Sequence, residues 1–227
     1  AGAIHYPGDA HLRPDLLTAE LARIVRQLGG EIIENCEVLG IETGHDQVQK
    51  ISTSRGQYQA ADYLFAMGPW SSKMLRAINI DLPVQPGKGY SITYTRPGLA
   101  PKRPIVLKER SVCVTTWGSG FRLGSTMEFS GYDDRLNRRR LNALERGAGE
   151  YLHEPVGPLK IEEWYGWRPM TWDDLPILGA TPNYKNAWLA TGHGMLGVSM
   201  SAVTGHLLAD LLCRRAPMID PTPYSIK

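Results

Sequence analysis

The stretch WLATGHGMLGVSMSAVTGHLLADLL, residues 188–212, restricts the fold more than any other part of the chain. A short apolar strand ends at Thr191, glycines follow at positions 192, 194 and 197, and a long helix starts among them. A strand that feeds straight into a helix belongs to a layered α/β architecture, where the helix packs back on the sheet. Gly197, Ser201, Gly205 and Ala209 recur every four residues and make one flat seam along which another backbone can pack. The Gly192-His193-Gly194 turn leaves two readings open. Its glycines serve a tight turn and nothing more, or they clear space for a close-fitting planar or anionic ligand at the positive end of the helix.

The rest of the chain fits such a layer, interrupted once. RPDLLTAELARIVRQLGG predicts a helix from Pro14, with Leu17, Leu21, Ile24, Val25 and Leu28 on one face and Gly29-Gly30 as its stop. Strand-like runs follow: EIIENCEVLGIET, QVQKIST and, after a turn at Arg55-Gly56, QYQAADYLFAM. SSKMLRAI reads as a short helix. From Val84 the runs GYSITYT, SVCVTTW and GFRLGSTMEF predict an antiparallel sheet, with one helix from Asn137 to His153 and a returning strand, KIEEWYGW. The fold class is therefore α/β (α+β). Residues 1–82 and 167–227 form two segments of one α/β layer, and residues 83–166 form an inserted, mostly antiparallel sheet. The tail from Ala216 is proline-rich and ordered by docking.

Composition excludes several functions. A net charge of +2 on 227 residues provides no dedicated nucleic-acid surface. The cluster Arg138-Arg139-Arg140 falls on the solvated face of a helix whose apolar positions are Leu141, Leu144, Ala148 and Tyr151-Leu152. Cys36, Cys113 and Cys213 match no metal or redox spacing, the histidines are scattered, and a reducing compartment with buried or idle thiols fits. No apolar run approaches membrane-spanning length and no signal peptide precedes the fold. A cytoplasmic location is expected, peripheral to the inner membrane if the protein is a dehydrogenase.

One peptide raises a chemical question. GWRPMTWDDLPILG sets Arg168 in an apolar stretch, and a guanidinium there must meet an anion or reach water. It forms a structural salt bridge with a carboxylate elsewhere in the chain, or its planar fork holds a carboxylate-bearing ligand. Asp173 and Asp174 read as turn formers rather than as a base.

Four peptides in order, LFAMGPWSSKML, PGKGYSIT, GWRPMTWDDLPILG and LATGHGMLGVSMSAVTGHLLADLL, give the chain a family resemblance over nearly its whole length. It resembles the flavin-dependent D-amino-acid oxidase and glycine oxidase superfamily, and within it the bacterial D-amino-acid dehydrogenase type. The resemblance implies FAD as cofactor and, as chemistry, hydride transfer from the α-carbon of a small amino acid or amine carboxylate to the flavin. It places Val38 at the adenine end of FAD, and Ala66, Gly68 and Trp70 in a strand-end turn beside the diphosphate and ribityl region. It places Gly192, His193, Gly194, Met195, Leu196 and Gly197 at the pyrimidine edge of the isoalloxazine ring, and Arg168 on the substrate carboxylate. Lys88 and Tyr90 become lesser substrate contacts on a strand lining the same pocket.

Such families open with a strand, a GxGxxG turn and a helix that hold the FAD diphosphate. The expectation is that no GxGxxG, and no strand-turn-helix to carry it, exists anywhere in this sequence. The resemblance therefore implies that Ala1 falls well inside a longer protein, that the FAD-binding layer is incomplete, and that the missing N-terminal segment is a partner. Without it, an exposed sheet face invites self-association. Two readings from other classes remain open at this level, a non-catalytic binder of small carboxylates and a protein-docking scaffold.

Overall fold

Pro14 occupies the first turn of helix α1 (Pro14–Gln27), Asp15 lies at its positive end, and Gly29, at φ +86°, ends it as the sequence predicts. In this computed structural model, which describes residues 2–226, the chain divides into two compact units, Ala1–Glu37 and Val38–Lys227. The first unit holds α1, none of whose residues is buried. The predicted strand EIIENCEVLGIET is only half present. Residues 31–37 are irregular, and β1 begins at Val38. Residues 31–37 join none of the three sheets, so the strand starts late, where β2 begins to pair with it.

The second unit contains three sheets. Strands β1 (Val38–Gly44), β2 (Gln47–Thr53) and β3 (Gly56–Tyr58) form an antiparallel ribbon in the order β1-β2-β3. Asn186 clips onto this ribbon like a one-residue strand. Its amide accepts from the Val48 N–H at 2.8 Å and donates to the Val48 carbonyl at 2.9 Å. The second sheet runs β10 (Ile177–Ala180), β11 (Ala187–Thr191), β4 (Tyr63–Phe65), with β11 and β4 parallel. Tyr63, Phe65, Ala187 and Leu189 point from it into a core shared with Leu75, from helix α2 (Ser71–Leu75), and with Ile80 and Leu82. Its other face packs Leu178 against Leu207 and Leu208 of helix α4 (Gly197–Leu212).

The third sheet is antiparallel, in the order β6 (Ile105–Leu107), β7 (Val112–Thr116), β8 (Gly120–Glu128), β5 (Gln85–Thr95), β9 (Lys160–Met170). The expected strands in this region all form. Helix α3 (Arg138–Gly149) covers one face. Asn137 caps it by accepting from the N–H groups of Arg139 and Arg140, and Leu141, Leu144 and Ala148 meet Tyr90, Ile92, Val114, Phe121 and Leu123. Arg138 and Arg139 are exposed, as expected, but the helix ends four residues before His153. The small-residue seam of α4 is not packed against a neighbour. A Cβ at Gly205 would meet open space, and Ser201 is exposed. Of the cysteines, Cys113 and Cys213 are exposed rather than buried.

Candidate active site

Strands β4 and β11 are parallel neighbours, and both end in glycine turns. After β4 comes Ala66-Met67-Gly68, with Gly68 at φ +53°, then a 3-10 turn through Trp70. After β11 comes Gly192-His193-Gly194, with φ +79° and +52° at the two glycines. Such backbone excludes most side chains, and the sequence supplies glycine where it is needed. The Thr191 hydroxyl donates to the Gly68 carbonyl at 2.8 Å and ties the two turns together. A crevice outside the carboxyl ends of parallel strands is where open α/β sheets bind ligands.

The 192–197 turn is fixed from two sides. The Gly194 N–H donates to the Pro169 carbonyl at 2.9 Å, one residue past Arg168. A side chain at Gly192 would strike Thr171, whose hydroxyl lies 3.5 Å from the Gly192 carbonyl. His193 Nε2 lies 3.0 Å from the Thr204 hydroxyl, and burial pushes the imidazole pKa down, toward the neutral ring. Leu196 makes no side-chain cap, so the N–H groups of the first α4 turn remain available to a ligand. Met195 and Leu196 are exposed beside them. Gly192, Gly194 and Gly197 also spell G-x-G-x-x-G after a strand and ahead of a helix. The letters of the dinucleotide fingerprint thus do occur in the chain, at its C-terminal end.

Arg168 stands on β9, opposite Gly87 of β5. Its guanidinium lies flat over Gly89. A Cβ there would fall 2.0 Å from Nη1, and one at Gly87 would strike Met170 and Met127. Gly89 thus hollows out the seat of the arginine, and Gly87 makes room for the methionines beside it. The guanidinium donates weakly to the Thr126 carbonyl at 3.4 Å and touches Met127 Sδ at 3.9 Å. That carbonyl is turned out of the ladder by a bulge in β8, where Ser125 and Thr126 adopt φ +119° and +58°. Among the described residues no carboxylate lies within ion-pair distance of Arg168, so the structural salt bridge is not formed. Burial pushes the Arg168 pKa down, and Cys113 acts in the opposite direction. Asp173 and Asp174 are turn formers, as expected: Asp173 accepts from the Leu175 N–H, and Asp174 has φ +57°.

The placement of Lys88 and Tyr90 differs from the expectation. Residues directly opposite in an antiparallel pair share a face, and side chains alternate along each strand. Arg168 pairs with Gly87, whereas Lys88 pairs with Trp167 and Tyr90 with Tyr165. Lys88 and Tyr90 therefore point to the α3 side of the sheet, away from Arg168, and both are buried. A one-residue offset decides this, and a peptide that reads PGKGYS does not reveal its pairing register. Val38 also stands apart, at the start of β1 in the small ribbon, paired with Thr53. Ala66, Gly68, Trp70 and residues 192–197 gather at the crevice, and Pro169 joins the latter to Arg168. The glycine seat and the bulge were missed in the sequence, although alternating glycines within a strand were a readable sign of close approach.

A doubly glycine-turned parallel pair beside an antiparallel sheet defines a mixed α/β protein, in which Arg168 has no carboxylate partner among the described residues. The chain belongs to the DAO family of FAD dependent oxidoreductases, whose model matches residues 1–211. It is 38% identical over 228 residues to a D-amino acid dehydrogenase of Granulibacter bethesdensis, covering 99% of this chain and 54% of that protein. It is 37% identical over 223 residues to a D-amino acid dehydrogenase of Chromohalobacter salexigens, covering 97% of this chain and 53% of that one. Its fold is similar to the crystal structure of glycine oxidase from Geobacillus kaustophilus, with a TM-score of 0.84 and 25% identity, covering 93% of this chain and 57% of the other. The chain spans about half the length of the curated relatives it matches.

Proposed function

We propose that this chain is the substrate-side part of an FAD-dependent D-amino-acid dehydrogenase or oxidase, which oxidises the C–N bond of a small D-amino acid. The observation that carries this reading is Arg168, a half-buried guanidinium with no carboxylate partner among the described residues, seated on Gly89 beside a glycine-turned crevice. A planar fork of donors suits a carboxylate, and holding it fixes the substrate α-carbon in one orientation. The turns at Gly68 and at Gly192-Gly194 admit a flat group at van der Waals distance. The α4 N-terminus favours negative charge beside it. These features fit FAD, which supplies the two-electron acceptor when bound. Neutral His193 holds the turn through Thr204 without adding a cation. The same contacts serve a D-amino acid, glycine or a secondary amine, all of which present one carboxylate.

The chain spans about half the length of its curated relatives, so we expect weak FAD retention and no turnover from residues 1–227 alone. Exposed apolar residues such as Leu64, Met195 and Leu196 favour self-association in that state. Among the described residues no helix is long and apolar enough to cross a membrane. A cytoplasmic protein, peripheral to a membrane if it is a dehydrogenase, is the location we propose.

The test is a visible absorption spectrum of the purified chain after FAD is added and the excess removed, followed by anaerobic addition of a D-amino acid. Retained flavin that bleaches with substrate supports an active chain. Weak or no retention, with bleaching restored by a co-expressed N-terminal segment of a relative, supports the substrate-side role. Carboxylate binding that proceeds without flavin, with no bleaching in either format, overturns the enzyme reading in favour of a binding module.

A further inference from the structure

Behind the sheet, on the face opposite Arg168, lies a cluster that the substrate reading does not use. Lys88 is 1% exposed, and among the described residues no carboxylate lies within ion-pair distance of it. Its ammonium donates to the Arg135 carbonyl and lies over the Tyr165 ring, 4.5 Å from the centroid, and near the Tyr90 ring at 5.3 Å. A buried cation held this way fastens residues 129–137, the connection between β8 and α3, to the back of β5. Glu128 adds a second clip, accepting from the Tyr90 hydroxyl at 2.9 Å and from Asn137 Nδ2 at 3.2 Å.

The connection reaches the cofactor turn. The Tyr132 hydroxyl donates to the Pro69 carbonyl at 2.6 Å, within the turn that follows Gly68. Its ring meets Trp167 edge-on at 5.7 Å, and Trp167 meets Trp70 at 5.7 Å and Tyr165 at 5.3 Å in the same manner. Among the described residues the buried Trp167 Nε1–H has no acceptor, and three edge-on ring contacts hold this side chain. Trp167 is the residue before Arg168.

We infer that Lys88 and Tyr132 are positioning residues. Lys88 pins the 129–137 connection, Tyr132 carries that anchor to the Pro69 carbonyl and to Trp167, and the pair sets where the Arg168 end of β9 stands against the Gly68 turn. Neither residue touches substrate. The consequence for anion binding rests on the Arg168 reading above, whereas the strut itself does not.

The test uses the protein labelled with 5-fluorotryptophan, with its six tryptophans assigned by single Trp→Phe changes. Tyr132→Phe removes one hydrogen bond and keeps the ring. It should shift the fluorine signals of Trp70 and Trp167 and leave those of Trp117 and Trp164, on the opposite face, in place. Lys88→Met should move the same two signals, and Lys88→Arg should restore them in part. Unmoved Trp70 and Trp167 signals, or a uniform shift of all six, overturn the strut, because loss of general stability would not single out two rings. Benzoate titration of the same samples tests the link to Arg168, with affinity expected to fall five-fold or more in Tyr132→Phe. Unchanged affinity alongside shifted rings overturns that link. If the unaltered protein binds no benzoate, the Arg168 reading falls and the link falls with it, and the fluorine result still decides the strut.

Discussion

The two faces of the five-stranded sheet are built from the same strands and do opposite work. The α3 side carries Tyr90, Ile92, Tyr94, Val112, Val114, Phe121 and Leu123, all buried against Leu141, Leu144 and Ala148. The other side carries Gly87, Gly89, Ser91 and Thr93 along β5, with Arg168, Gly166, Trp164 and Glu162 opposite them on β9. One face is a packed core. Its reverse is a shallow floor of small and polar residues with a cation at one end. At the far end of that floor Arg122 lies near the rings of Trp117 and Trp164, at 5.4 and 5.6 Å, and pairs with Glu162 at 3.3 Å. On the proposed reading stability depends on the first face and recognition on the second, and mutations on the two should separate those properties.

The sharpest separation is Leu144→Ala. A fully buried leucine beneath the sheet should cost about 2–5 kcal/mol of stability when truncated. Chemical denaturation would show it, with benzoate affinity at low denaturant little changed. Arg168→Lys should do the reverse. In the enzyme completed with a co-expressed N-terminal segment, it should raise KM for the amino acid by the equivalent of ~1–3 kcal/mol, with an almost unchanged melting temperature. A normal KM would remove Arg168 from the site. Ser125→Gly relieves a backbone angle that glycine adopts freely, and stability should rise by about 1 kcal/mol. A loss would mean that the serine side chain supports the bulge.

The smallest effect concerns acid. Glu163, on the α3 side, accepts from Lys160 at 2.9 Å and pairs with Arg138, and these cations hold its carboxyl below the ordinary value of 4.5. A carboxylate with a depressed pKa in the folded state contributes stability above the ordinary pKa, and loses it as pH falls through the folded value. The unaltered protein should thus exceed Glu163→Gln by less than about 1 kcal/mol at neutral pH, and the gap should close below pH ~4.5. A gap that widens in acid would contradict the pairing.

Much of this was legible in the residues. Pro14 and Gly29 bounded α1, Asn137 preceded α3, and the strand–glycine–helix stretch at 188–212 fixed the layered class. The crevice turns and Arg168 were also legible, because glycine clusters and an arginine in an apolar peptide carry a physical reason in themselves. What stayed hidden depended on partners distant in sequence. The absence of a carboxylate near Arg168 is a fact about every other strand. The side to which Lys88 points depends on its pairing with Trp167, and residues 31–37 read as a strand but join no sheet. Local pattern tells which groups want company. It does not tell which company they find.

The Asn186 amide has a consequence for how the β1-β2-β3 ribbon keeps its alignment. It grips the N–H and the carbonyl of one residue, Val48, and both of those groups point to the same side of β2. A slip of β2 by a single position would present the opposite edge, where the amide would find neither. Asn186 thus acts as a gauge that accepts one alignment and rejects its nearest neighbours. An aspartate of the same shape could still take the N–H, but it would turn a lone pair toward the Val48 carbonyl and lose the second half of the reading.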